Sequence, residues 1–229
     1  YRLAAHYKMT DTIYTHISAR VPNEPEHFLI NPYGFMWEEI TASSLVKIDV
    51  DGNKIDASPH RVNPAGFTIH SAVHMGRHSA AWVMHTHTRS GFAVSCLEEG
   101  LLPLSQIALQ YYSQVGYHDY EGIALDLDER GRIVDALGDN VALILRNHGL
   151  LTVGETAGQM FSNMFYLNRA CEIQESTLSM GRPLKKIDDA IIKRVSEQFG
   201  QMAYDDGDLL LEWDAQVRLA DRLDQGFRD

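Results

Sequence analysis

Two short apolar runs that each lead into histidine constrain the fold of this chain more than any other feature. Ala81–Met84 runs directly into His85, and Val141–Leu145 is followed three residues later by His148. Short apolar runs bounded by polar residues indicate strands that are buried on both faces. Such strands need a layer of structure on each side of their sheet, so we predict a layered α/β domain.

The histidines after these runs are suited to bind a metal ion. Residues two apart in an extended segment point to the same side, so His85 and His87 can face one point in space. Gly149 lets the backbone turn closely beside His148, and two adjacent core strands would bring all three rings together. Three neutral imidazoles with an open position are typical of a catalytic zinc site. A histidine after a strand is also a common polar residue of a core, so spacing alone leaves both interpretations open.

Strand and helix patterns alternate along the rest of the chain, without an internal repeat or an obvious linker. The patterns predict strands at 15–20, 27–31 and 45–49, and helices at 63–78, 90–98, 104–113 and 155–180. Residues 187–228 alternate charged and aliphatic residues at helical spacing. We therefore predict a main domain at 1–181 and a C-terminal helical extension at 182–229, packed on this domain or on a neighbouring subunit.

The composition argues against several classes of protein. The chain has 229 residues, 45% hydrophobic and 22% charged, enough for one domain with a sizeable core. Its net charge of −11 is not offset by a dense Lys/Arg cluster, which argues against nucleic acid as a partner. No apolar run approaches the ~20 residues that a membrane span needs. Cys96 and Cys171 lie in helical patterns and are expected to be buried, reduced thiols, so a cytoplasmic location is predicted.

Three motifs together resemble the class II aldolase/adducin family: Asn63–His70, His85–Thr88 and Arg146–Gly149. Shorter stretches at 16–20, 30–34 and 39–41 extend the resemblance over about residues 3–180. The resemblance implies a three-layer α/β/α fold with a central, mostly antiparallel sheet. It also implies a homotetramer with active sites at subunit interfaces. One divalent metal ion, zinc first and iron or manganese as alternatives, is expected on His85, His87 and His148.

The sequence departs from the sugar-phosphate aldolases of that family at the residues that handle protons and phosphate. Their acid/base glutamate lies nineteen residues before the first histidine of the pair, and that position is Gly66 here. Their serine pair falls at Pro64 and Ala65, their phosphate loop near 14–16, and their tyrosine acid at Ile107. These departures predict a substrate without a phosphate group and a different proton-handling residue.

A dense polar stretch, Tyr117–Gly122, offers the candidates for that missing residue. The His118 imidazole can accept or donate a proton, Tyr120 can donate a proton, and Glu121 can orient either of them. The alternative is a turn whose tyrosines pack on a neighbouring subunit. Three further residues are candidates for substrate binding: Asn31, Gln106 and His70. For His70, a structural hydrogen bond to the sheet is the alternative interpretation. We expect His74 at the surface or at an interface.

The resemblance and its departures favour a metal-dependent carbon–carbon lyase of aldolase type. Its substrate would be a small, non-phosphorylated hydroxy-carbonyl or aromatic compound, and the metal ion would stabilise the enediolate formed when the bond breaks. A non-haem iron oxygenase on the same three histidines is the first alternative. The second alternative is a non-catalytic, adducin-like interaction module, for which His85→Ala would change only stability.

Overall fold

The computed structural model of the protein describes residues 1–202 and 206–229, and these residues contain one seven-stranded sheet in the order β3-β2-β1-β4-β7-β6-β5. All neighbouring strands are antiparallel except β5 and β6, which are parallel. The prediction of a mostly antiparallel sheet is therefore confirmed. The strands are β1 His16–Val21, β2 Glu24–Ile30, β3 Val46–Asp49, β4 Trp82–Thr86, β5 Val115–His118, β6 Ala142–Leu145 and β7 Gly149–Gly154.

Eight α-helices occur in the described residues, with single 3₁₀ turns at 37–39, 42–44 and 226–228. Asn63 caps α2 by accepting a hydrogen bond from the Ala65 N–H, and Thr156 caps α6 in the same way from Gln159. The helices are α1 Arg2–His6, α2 Pro64–Gly76, α3 Arg89–Ser95, α4 Gln106–Leu109, α5 Glu129–Leu137, α6 Ala157–Ser179, α7 Asp189–Met202 and α8 Asp206–Leu223.

Apolar clusters lie on both faces of the sheet, as the three-layer prediction requires. Met84 and Ile144 belong to a core that includes residues of α1, α3, α6 and α8. Their neighbours Val83 and Leu143 point to the other face and belong to a core with α2 and α5. Alternation along each strand thus buries both faces, which explains why these strands read as continuous apolar runs.

The strand pairing corrects one prediction about how the histidines meet. We expected the strands that lead into His85 and His148 to be adjacent, but β7 lies between β4 and β6. Residues 146–148 form the tight turn that joins β6 to β7, with Leu145 opposite Gly149. His148 therefore reaches His85 because the chain folds back beside β4, where Leu151 is the register partner of His85.

Two local predictions were wrong, and two elements were missed. The helix predicted at 104–113 is reduced to α4, because its chain then turns into β5, a strand that the sequence reading missed. The helix α5 was also missed, because only a few of its residues are apolar and buried. Cys96 is exposed at the C-terminal end of α3, whereas Cys171 in α6 is buried as expected.

The described part of the C-terminal extension packs on the main domain. Helix α8 contacts α6 and α1, and α7 contacts α4. Arg2 donates to the Asp224 carboxylate at 2.7 Å, and Tyr7 donates to Gln216 at 3.0 Å. The division at residue 182 stays a prediction, and residues 203–205 of the predicted amphipathic segment lie outside the described part of the chain. No helix among the described residues is long and apolar enough to cross a membrane.

Candidate metal centre

The end of β4 fixes the first histidine of the cluster through a backbone contact. His85 is fully buried, and its Nδ1–H donates to the carbonyl oxygen of Leu150 at 2.9 Å. Because a neutral imidazole carries one proton, this bond leaves the lone pair on Nε2. The strand next to β4 thus sets the tautomer that a metal ligand needs.

The second histidine is oriented by an acidic side chain that sequence reasoning missed. His87 follows β4, and its Nδ1 lies 3.0 Å from a carboxylate oxygen of Asp11. A carboxylate only accepts, so Nδ1 of His87 carries the hydrogen and Nε2 carries the lone pair. The Nε2 atoms of His85 and His87 are 2.9 Å apart. Two lone pairs this close repel each other unless a cation lies between them, so this arrangement fits a metal ion.

The third histidine comes from the turn between β6 and β7. Asn147 adopts a left-handed φ of 55°, and its N–H donates to the Ser95 carbonyl at 3.0 Å. Gly149 follows, and a Cβ there would collide with the carbonyl oxygen of Thr86. The turn therefore requires glycine, and it places one ring nitrogen each of His85, His87 and His148 within 4.8 Å of one another.

Burial keeps two of these rings, those of His85 and His148, uncharged. Burial lowers the pKa of His85 well below 6.5, and the neighbouring His148 and His87 lower it further. Burial, followed by the neighbouring His87, lowers the pKa of His148 to about 4. Neutral imidazoles offer lone pairs at physiological pH, and three nitrogen ligands are the set found in catalytic zinc sites. The residues present therefore fit one divalent ion.

A fourth ring, that of His16, stacks on His85 from the neighbouring strand. The two residues are register partners in β1 and β4, and their ring centroids are 5.6 Å apart with an angle of 19°. The Nδ2 of Asn63 donates to Nε2 of His16 at 3.0 Å. A Cβ on Gly66 would lie 2.7–2.9 Å from the His16 ring. The imidazole thus fills the space above Gly66, where the resemblance placed a glutamate.

Two further histidines are buried behind His16 and share one hydroxyl. The Oγ of Ser18 lies 2.6 Å from Nδ1 of His70 and 2.8 Å from Nε2 of His74. His70 makes the structural contact with the sheet that its alternative interpretation predicted. The expectation that His74 lies at the surface or at an interface was wrong, because Ser18 of β1 and the Phe28 ring of β2 bury it within the chain.

The polar stretch at 117–122 lies at the end of β5 and beside the third histidine. His118, Tyr120 and Glu121 line one cavity together with His148. Nε2 of His118 is 3.0 Å from the carboxylate of Glu129, and both side chains are buried. Sequence reasoning missed Glu129, because it lies eleven residues away in a helix that it did not predict.

The other members of this stretch are more exposed. Glu121 forms a two-pronged ion pair with Arg132, which lowers the pKa of its carboxyl. Tyr120 is 54% exposed. The structure therefore brings the stretch to the histidine cluster, with His118 as its buried member.

The remaining candidates, Asn31 and Gln106, make no described hydrogen bond to the clustered histidines. The amide of Asn31 accepts from the Ile17 N–H at 3.1 Å and donates to the Thr15 carbonyl, so it ties β2 to the start of β1. Gln106 is exposed at the start of α4, a helix that packs against α6 and α7. Substrate contacts for Asn31 and Gln106 stay predictions.

The fold and the histidine cluster define an α/β/α domain of the class II aldolase type. The family model described as "Class II Aldolase and Adducin N-terminal domain" matches residues 1–175. The chain belongs to the class II aldolase/adducin family.

Relatives of the chain include both aldolase-named and adducin proteins. A class 2 aldolase-like protein of Caulobacter vibrioides is 52% identical over 231 residues, covering 100% of this chain and 89% of the relative. The alpha-adducin of Rattus norvegicus is 47% identical over 187 residues, covering 80% of this chain but 25% of the adducin.

Solved structures share the fold over the whole chain. An aldolase II superfamily protein from Pseudomonas syringae has a TM-score of 0.94 and 46% identity, covering 100% of this chain and 91% of the other. The L-fuculose 1-phosphate aldolase from Glaciozyma antarctica PI12 has a TM-score of 0.84 and 26% identity, covering 100% and 88%.

Proposed function

We propose that the protein is a metal-dependent carbon–carbon lyase of aldolase type, acting on a small hydroxy-carbonyl or aromatic substrate without a phosphate group. The observation that carries the proposal is the pair of facing imidazole lone pairs on His85 and His87, completed by His148. The likeness to a fuculose-phosphate aldolase supports the reaction class. Gly66 and the altered phosphate-loop residues support a different substrate.

His85, His87 and His148 would bind one divalent ion, zinc first and iron or manganese as alternatives. When bound, such an ion supplies Lewis-acid stabilisation of negative charge on adjacent substrate oxygens. The chain supplies the proton chemistry. Glu129 accepts the Nε2–H of His118, so His118 would receive or deliver a proton at Nδ1. Buried beside the cluster, this pair is the best-placed acid/base of the three candidates.

The other candidates take supporting roles in this proposal. Tyr120 donates a hydrogen bond to the substrate from the rim of the cavity, and Glu121 with Arg132 fixes the loop that carries Tyr120. His70 orders the histidines behind the metal through Ser18. Asn31 and Gln106 are proposed to contact the substrate, Gln106 from a neighbouring subunit.

We also propose a homotetramer with active sites at subunit interfaces, in the cytoplasm and without nucleic-acid partners. The apolar side chains that follow Tyr120 support the assembly. Ile123 is 74% exposed and Leu125 is 60% exposed, and both follow directly on the residues that line the cavity with His148. Apolar surface beside a site is typical of an interface.

Metal analysis of protein purified without chelator tests the proposal. We expect one zinc, iron or manganese ion per chain, and a large loss of bound metal in His85→Ala, because the buried Nε2 of His85 is a proposed ligand. Retro-aldol cleavage of a panel of non-phosphorylated hydroxy-ketones, measured under nitrogen, tests the reaction. Absence of stoichiometric metal in the parent protein would overturn the lyase proposal. Turnover that stops without dioxygen would favour the oxygenase alternative.

The second candidate is an adducin-like interaction module. The 47% identity with rat alpha-adducin favours it, since that likeness covers most of this chain. It predicts that His85→Ala leaves every function of the protein intact. Metal stoichiometry and cleavage activity that both disappear in His85→Ala would decide for the enzyme.

A further inference from the structure

The three rings of the metal centre are held in three different ways. Leu150 accepts from His85 within the sheet, and the strained turn at Asn147 places His148. His87 lies beyond the last residue of β4, where the sheet no longer fixes it. Its ring needs a separate partner, and that partner is the Asp11 carboxylate at 3.0 Å.

Asp11 lies in the connection between α1 and β1, and this connection is firmly placed. Met9 is 1% exposed, and its N–H donates to the Ala4 carbonyl at 2.9 Å. Lys8 and Thr12 adopt left-handed φ angles of 57° and 48° on either side of Asp11. Such conformations cost energy for residues with side chains and are found where the surrounding structure imposes them. The backbone on both sides of Asp11 is therefore held in a defined conformation.

Asp11 differs from the other described acidic residues in its contact with the histidine cluster. The chain carries 31 acidic residues, yet among the described residues only this carboxylate is hydrogen-bonded to one of the three clustered histidines. Other exposed carboxylates pair with basic side chains, as Asp224 does with Arg2, or accept from nearby backbone N–H groups, as Glu39 does from Met36. A carboxylate at Nδ1 of a ligating imidazole fixes its tautomer and raises its basicity.

We propose that Asp11 is a positioning residue of the metal centre, which presents Nε2 of His87 to the ion and adds one negative charge beside it. This inference rests on the proposed metal site, but not on the lyase reaction. Removal of such a partner typically weakens metal binding about 10- to 100-fold.

Zinc affinity, measured by competition with a chromophoric chelator, tests the proposal on the full chain. We expect Asp11→Ala to bind Zn²⁺ about 10- to 100-fold more weakly than the parent. Asp11→Asn should recover part of this loss, because its amide oxygen still accepts the Nδ1–H but carries no charge. Glu38→Ala removes another exposed acid, one with no described hydrogen bond to the clustered histidines, and the zinc affinity should stay within about threefold of the parent.

Two further readouts separate positioning from a general loss of structure. Melting of the metal-free variants should match the parent, and the Co²⁺-loaded Asp11→Ala protein should show an altered visible spectrum, because one ligand is less well oriented. Asp11→Ala with parental zinc affinity, alongside His85→Ala without binding, would overturn this proposal and leave the metal centre standing. A parent that binds no zinc would overturn both.

Discussion

Replacement of Gly66 by alanine tests whether the His16 ring is locked beside the metal centre. The new Cβ would lie 2.7 Å from Cδ2, 2.8 Å from Nε2 and 2.9 Å from Cγ of His16. Non-bonded carbon atoms are at their optimum at about 3.5–4.0 Å. The imidazole or the first turn of α2 must therefore move by roughly 0.8 Å to accept one methyl group.

That displacement is costly because the His16 ring is held on several sides. Asn63 donates to its Nε2 at 3.0 Å, and the ring stacks on His85 and meets His70 edge-on at 5.5 Å. Overpacking of this kind typically costs about 1–3 kcal/mol. Replacing glycine by alanine inside a helix by itself raises the free energy of unfolding by about 0.5–1 kcal/mol. We expect Gly66→Ala to lower the free energy of unfolding by about 1 kcal/mol, the difference between the central values of these two terms.

Urea unfolding of the metal-free protein measures this change, with Gly131→Ala as the matched control. Gly131 is exposed in α5, and a Cβ there would meet nothing within 4 Å. The free energy of unfolding of the control should increase by up to about 1 kcal/mol. In a His16→Ala background the Gly66→Ala change should cost little, because the obstacle is gone. Equal unfolding free energies for Gly66→Ala and Gly131→Ala would refute the reasoning.

Two more predictions concern buried histidines. Burial lowers the pKa of His70 and His74 to about 3, from 6.5 in the unfolded chain. Between pH 3 and pH 6.5 the unfolded state therefore binds more protons than the folded state. The free energy of unfolding is thus highest above pH 6.5 and decreases as the pH falls below that value. The loss approaches about 1.4 kcal/mol per pH unit for each ring. Equal urea midpoints at pH 7 and pH 5 would contradict this. Glu129→Ala should cost about 1–3 kcal/mol in the same assay, because the buried Nε2 of His118 loses its acceptor, whereas Glu129→Gln should cost less.

Much of the fold was predictable from local patterns. The alternation of a strand places His85 and His87 on one side, and the structure brings both to His148. The family motifs supplied the antiparallel sheet that periodicity alone does not specify, since a buried apolar run looks the same in parallel and antiparallel sheets. That ambiguity also explains why β7 was not expected between β4 and β6.

The unpredicted parts of the site depend on contacts between distant residues. Asp11 and His87 are separated by 76 positions, and nothing in the sequence near Asp11 marks it among the acidic residues. His74 looked like one more polar residue of an amphipathic helix until Ser18 of β1 proved to be its partner. Tertiary pairing of this kind decides burial, whereas composition and spacing describe only the single segment.

The strand order also links the metal centre to the proposed acid/base. The N–H of Arg146, in the turn that carries His148, donates to the carbonyl of His118 at 2.8 Å. The Arg146 guanidinium lies 4.3 Å from the centroid of the Tyr117 ring, so two contacts join the end of β5 to the turn after β6. His85 and His87 come from β4, on the other side of β7. If the proposed roles hold, substitutions in β5 and α5 should therefore change the proton handling assigned to His118 while His85 and His87 stay in place.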